Sequence, residues 1–331
     1  MTLATGIGSM PGDDQAWFDR AVRVVLEELP DLPHLPEVPG RGQPATLTGR
    51  GLAVMSTLGA DLQPAGWRLT DAPGVDHRRA RSLLAQDLDG LEEHAHDYAG
   101  TFKVQVAGPW TLAATVEKPR GDKVLSDFGA RRELAQALAE GVRDHVRDVR
   151  RRLPKVDRLV VQVDEPALSA VLDAKVPTAS GFGRHRAVHP PEASEALRWV
   201  LDAVAAEGAE PWVHTCAAGT PLALLRGAGA RGLSVDLALM SAADHDVLAE
   251  ALEAGESVVL GVAPAQEPTT PVGEAQLVES VTRWLEMLGL DPATIGGTLA
   301  ISPTCGLAGA SDPWTRRVLA MLRASAADLT G

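Results

Sequence analysis

From about residue 100 onward the chain alternates short apolar runs with segments of helical spacing, and this alternation constrains the fold more than any other feature. Phe102 to Ala107 reads FKVQVA and Leu159 to Val163 reads LVVQV, as expected of strands in a parallel sheet. Between them Leu134, Leu138, Val142, Val146 and Val149 recur at steps of three or four, the stripe of a helix that Pro154 ends. Further strands are expected at Trp212 to His214, Leu233 to Val235, Val258 to Gly261 and Leu299 to Ser302. Helical patterns lie around Leu197 to Val204, Val247 to Leu252, Leu277 to Leu288 and Val318 to Leu322, and Thr220-Pro221 supplies an N-cap and first-turn proline for another. A first strand near Ala4 to Gly8 makes seven, with Trp67 to Thr70 the candidate eighth. Eight strands with helices between them close a single (β/α)8 barrel, the TIM-barrel form of the α/β class.

A chain of 331 residues has room for two domains, but no repeat, low-complexity tract or composition break marks a linker, so residues 1–331 are read as one domain. Residues 30–73 are rich in proline and glycine and are expected to form a long loop region over the barrel mouth. Lysine and arginine number 31 against 44 aspartates and glutamates, a net charge of −13 that disfavours nucleic acid and anionic lipid as partners. No apolar run reaches the length of a membrane span and Met1 to Ile7 lack the pattern of a secretory signal, so a cytoplasmic location is expected.

In such a barrel the reactive groups sit where strands run into the following loops. Trp212-Val213 leads into His214-Thr215-Cys216, Leu233-Ser234-Val235 ends in Asp236, and Leu299 to Ser302 leads into Pro303-Thr304-Cys305-Gly306. One imidazole, two thiolates and one carboxylate are a donor set suited to tetrahedral zinc. Structural zinc sites usually draw cysteines from tight CxxC knuckles, and this chain has only two cysteines, far apart. Ligands scattered over strand ends point instead to a catalytic ion.

The order of motifs resembles the zinc-containing catalytic half of cobalamin-independent methionine synthase, within the barrel superfamily shared with uroporphyrinogen decarboxylase. The likeness rests on Ile7-Gly8-Ser9-Met10-Pro11, Gly108-Pro109, Gln162 to Leu168 (QVDEPAL), His214-Thr215-Cys216 and Pro303-Thr304-Cys305-Gly306-Leu307. It implies a zinc ion held by His214, Cys216 and Cys305, with the family's glutamate ligand replaced by the shorter Asp236. It implies also that Ile7, Gly8 and Ser9 hold the carboxylate of homocysteine, that Asp164 receives its ammonium group with Glu37 as second partner, and that the product is methionine.

The sequence departs from that family on the donor side. The segment Gly261 to Gln266 (GVAPAQ) has no histidine to protonate a departing folate nitrogen, and Thr111 to Val116 (TLAATV) has no tryptophan for a folate ring to stack on; Trp110 stands at a different position. The additional N-terminal barrel of the long enzyme is likewise not expected here. A preactivated donor, such as a methylcorrinoid on a partner protein, is therefore expected in place of methyltetrahydrofolate, and no catalytic acid is assigned. The alternatives are an alkyltransferase acting on another thiol such as coenzyme M, and a barrel that binds zinc without catalysis. His94, His96, His185, His189 and the run Arg147 to Arg152 read as features of solvated surfaces.

Overall fold

Apolar runs with few polar interruptions become inner strands because helices cover one face and the interior of the curl covers the other. The computed structural model describes residues 1–292 and 294–329. Its strands are β1 (Leu3–Ala4), β2 (Gly59–Gln63), β3 (Gly66–Thr70), β4 (Gly100–Ala107), β5 (Val156–Asp164), β6 (Glu210–Thr215), β7 (Gly232–Asp236), β8 (Ser257–Ala263) and β9 (Leu299–Pro303). Seven of them form one curled parallel sheet in the order β1-β9-β8-β7-β6-β5-β4, and these correspond to the seven runs read from the sequence. Long helices such as Phe128–Arg152 and Pro190–Ala206 bury their apolar stripes on its outside; Asp127 caps the first, accepting from Ala130 N at 2.8 Å.

Register carries the site. Ala107 is opposite Asp164, Asp164 opposite His214, and His214 opposite Ser234, so one level of the sheet presents a row of polar groups near the carboxyl ends of the strands. Alternation along a strand puts Val160 on the same face as Gln162 and Asp164, and Trp212 on the same face as His214. Val160 and Trp212 pack with Leu32, Val259 and Ala300 into a buried plug beneath that row. Gly232 makes room for it, since a Cβ there would lie 2.4 Å from the Trp212 ring. The polar row therefore stands on a packed floor.

The expected eighth strand is corrected. Trp67–Thr70 falls in β3, which pairs antiparallel with β2 in a separate hairpin turning at Pro64 and Ala65. The sheet edges at β1 and β4 are instead linked by the extended segment Pro33–Glu37: Lys103 N donates to Pro33 O (2.9 Å), Leu35 N to Lys103 O (2.8 Å), Glu37 N to Gly8 O (3.0 Å) and Met10 N to Glu37 O (2.7 Å). Pro33 and Pro36 have no N–H to give a ladder, so the link consists of the isolated bridges His34–Lys103 and Ser9–Glu37. The architecture is that of a TIM barrel in outline, with seven strands in its sheet. Residues 30–73 are also more ordered than a loop, holding two 3-10 turns, the helix Leu47–Val54 and the β2–β3 hairpin.

Candidate active site

The carboxyl end of β6 delivers His214, 3% exposed. Its Nδ1 lies 3.0 Å from the hydroxyl and 3.2 Å from the carbonyl oxygen of Ser234 on β7. With the proton on Nδ1 donated to Ser234, Nε2 keeps a lone pair, and this buried nitrogen has no partner. Cys216 follows one residue beyond β6 and Cys305 two beyond β9; their sulfurs are 3.1 Å apart, and the donor atoms of His214, Cys216 and Cys305 all lie within 4.8 Å of one another. An unpaired imidazole nitrogen facing two sulfurs is a three-ligand set of the borderline-soft kind that fits zinc.

Asp236 stands outside that group among the described residues. Its Oδ1 accepts from Ala238 N at 3.0 Å, capping the 3-10 turn Leu237–Leu239. Burial, assisted by the nearby charge of Cys305, holds its carboxyl above the ordinary range. Contact with Cys216 first and the closeness of His214 second bring the Cys305 thiol down to about 4, while the same sulfur contact and burial push Cys216 up.

A cavity of about 230 Å³ opens beside the sulfurs, and Ile7, Gly8, Ser9, Glu37 and Asp164 all line it together with His214, Cys216 and Cys305. Close approach of backbone explains its glycines. A Cβ on Gly306 would lie 2.0 Å from Ser9 Oγ, and Leu307 N donates to Ser9 O at 2.8 Å, so the loop carrying Cys305 is stitched to the segment carrying Ser9. A Cβ on Gly8 would sit 2.8 Å from the side chain of Gln105.

Neighbouring carboxylates in the Asp-Glu-Pro motif have opposite duties. Asp164 faces the cavity, accepting from Gln162 Nε2 at 2.7 Å; burial first and Glu37 second push its carboxyl well up. Glu165 turns away and accepts from Trp110 N (2.9 Å), Thr111 N (2.8 Å) and the Thr111 hydroxyl (2.7 Å), capping the helix Pro109–Thr115. Burial still lifts it to about 7 against those three bonds. Gly108 leaves space for it, because a Cβ there would be 2.4 Å from the carboxyl carbon.

Several partners of the site carry no motif of their own. Ser234 orients His214; Arg50 Nε lies 3.0 Å from Glu37 Oε1; and Lys103 Nζ donates to Ile7 O at 3.0 Å and to Gln162 Oε1 at 2.8 Å. The signal for Lys103 is its place in the middle of an apolar strand, where a charge needs a purpose. Trp110 is buried and donates Nε1 to Ala193 O at 3.0 Å, and no phenylalanine, tyrosine or tryptophan lines the cavity among the described residues. His185 is also buried, 3.1 Å from Asp122 Oδ1, which corrects its reading as surface; His94, His96 and His189 lie far from full burial.

Fold and site together define an α/β protein of barrel outline with a His-Cys-Cys cluster that could hold a metal ion at the carboxyl ends of its strands. Residues 101–328 match the family model for the cobalamin-independent synthase catalytic domain, and the chain belongs to that family. Its structure is similar to that of a B12-independent methionine synthase from Shewanella sp. W3-18-1 in complex with selenomethionine, with a TM-score of 0.62, 14% identity and coverage of 99% of this chain and 98% of that one. At that identity the likeness is one of fold. Lower similarity is found to a β-1,4-D-mannanase from Cryptopygus antarcticus (TM-score 0.45, 9% identity, 97% and 90% covered) and to 3-keto-D-glucoside 4-epimerase from E. coli (TM-score 0.38, 13% identity, 75% and 85% covered). No curated protein matches the sequence. No helix among the described residues is long and apolar enough to cross a membrane.

Proposed function

We propose that this protein transfers a methyl group to the thiol of homocysteine, forming methionine, and that it takes the methyl from a preactivated donor such as a methylcorrinoid protein. The observation that carries the reading is the buried, unpartnered Nε2 of His214 facing two sulfurs beside a cavity lined by Ser9, Glu37 and Asp164. His214, Cys216 and Cys305 would hold zinc, which when bound supplies the Lewis acidity that keeps a substrate thiol ionised at neutral pH. Asp164 and Glu37 receive the substrate ammonium, and the backbone and hydroxyl of Ile7 to Ser9 take its carboxylate. These contacts aim the substrate sulfur at the donor. Its lone pair forms the new S–CH3 bond as the donor–methyl bond breaks, and the electrons of that bond stay with the donor.

Ionisation alone is a modest contribution. A thiol of ordinary pKa is roughly 3% ionised at pH 7, so complete ionisation is worth about thirtyfold, or ~2 kcal/mol. The larger share of the rate comes from alignment by Ile7 to Ser9, Glu37 and Asp164. Coenzyme M fits less well, since a sulfonate without an ammonium leaves both carboxylates facing an anion.

Turnover of homocysteine with methylcobalamin and with methyltetrahydrofolate, measured on protein of known zinc content, tests the reading. Methionine is expected with the corrinoid donor and not with the folate. A normal rate with methyltetrahydrofolate alone would overturn the donor assignment, and a zinc-loaded protein that binds no homocysteine would favour a barrel that holds zinc without catalysis.

A further inference from the structure

Six ionisable side chains are buried along and behind the cavity wall. Arg41 lays its guanidinium on Asp87 through bonds of 2.7 and 2.8 Å, and Arg50 links Asp87 Oδ2, at 2.5 Å, with Glu37. Lys103 bonds Gln162 and the Ile7 carbonyl, and Gln162 Nε2 in turn donates to that same carbonyl at 2.9 Å and to Asp164. The side chains of Arg41, Asp87, Arg50 and Glu37 are at most 6% exposed, Lys103 is fully buried and Asp164 is 7% exposed.

Three cations thus meet three carboxylates. Lys103 and Asp164, joined through Gln162, count one cation against one carboxylate. The rings facing the set add no charge: burial takes His34, beside Lys103, down to about 3 and His145, beside Arg50, down to about 4. Cys305, whose charge reaches Asp164, belongs to the metal-ligand set, and Glu165 is turned onto its helix.

A balanced buried set decides what may join it, because an uncompensated charge away from water is costly. A ligand carrying both ammonium and carboxylate leaves the sum at zero; an amine alone adds one positive charge, and an acid alone one negative. We propose that Lys103 is the specificity-determining positioning residue of this cavity, whose charge restricts it to zwitterionic amino-acid thiols. This rests on reading the cavity as a site for such a thiol. Lys103 reaches both ends of the ligand without lining the cavity, the ammonium end through Gln162 and Asp164, and the carboxylate end through the Ile7 carbonyl and the backbone of Ile7 to Ser9.

Calorimetric binding of three thiols to the zinc-loaded full chain tests it: homocysteine, 3-aminopropanethiol, which lacks the carboxylate, and 4-mercaptobutanoate, which lacks the amine. The wild type is expected to bind homocysteine at least tenfold more tightly than either. Lys103→Met leaves the set one charge negative, so the ratio of aminopropanethiol to homocysteine affinity should rise at least tenfold and mercaptobutanoate should weaken further, with zinc content unchanged. Lys103→Gln, which keeps a donor for the Ile7 carbonyl, carries the same expectation if the methionine variant does not fold. Equal weakening of all three thiols in a folded variant, or a wild type that binds the amine as tightly as homocysteine, overturns the inference and leaves the reading of the cavity standing. A wild type that binds none of the three overturns both.

Discussion

His214 gives its Nδ1 to Ser234, 3.0 Å away on the next strand, and this single contact leaves Nε2 facing Cys216 and Cys305. Replacing a group that orients a ligating imidazole typically lowers metal affinity by 10- to 100-fold. The Ser234 carbonyl remains at 3.2 Å in Ser234→Ala, so the expected loss of zinc affinity is near the lower end, about tenfold. Competition with a chromophoric chelator measures it, and an unchanged affinity would remove Ser234 from the site.

The ligand set itself separates by metal analysis. Cys305→Ala should reduce zinc from one ion per chain to a small fraction. Asp236→Ala should keep the full complement, because that carboxylate caps the turn Leu237–Leu239 outside the ligand group. Loss of zinc from the aspartate variant to the same extent as from the cysteine variant would make Asp236 a fourth ligand.

Gly306→Ala places a methyl group 2.0 Å from where Ser9 Oγ now lies. Ser9 must shift, and with it the backbone to which the proposed function assigns the substrate carboxylate. KM for homocysteine is expected to rise about tenfold, the cost of one displaced polar contact, while zinc content stays at one ion per chain. A steady-state titration with homocysteine, paired with metal analysis, distinguishes this from collapse of the metal site.

Stability should fall in mild acid for a definable reason. His34 and His145 are held neutral by burial, with folded values of about 3 and about 4 against an ordinary value of 6.5. The unfolded chain therefore binds these protons first, so their contribution is fully present above about pH 6.5 and is lost as pH drops toward 4, at up to about 1.4 kcal/mol per pH unit for each ring. Urea unfolding between pH 4.5 and 6.5 should show this slope, and His145→Gln should remove about half of it. A slope unchanged by that variant would show that His145 is not kept neutral in the folded protein.

The parts of the molecule legible in the sequence are those whose physics is local. β4 to β9 stand out because strands covered on both faces must be apolar nearly throughout, and His214, Cys216 and Cys305 stand out because they interrupt the chain where such strands end. The piece between β1 and β4 was hidden by its prolines, which deny Pro33–Glu37 a regular ladder, while Trp67–Thr70 has the alternation of a strand that serves elsewhere. Lys103, Arg50 and Ser234 act only through partners distant in the chain, so spacing could not reveal their roles. Asp236 shows the converse: a residue at the right strand end can be engaged by its own loop.

The stretch Pro33–Glu37 fastens the two margins of the sheet and also carries Glu37. Wall and binding surface are consequently completed by one docking event, and a folding intermediate with this seam undone would lack a finished chamber.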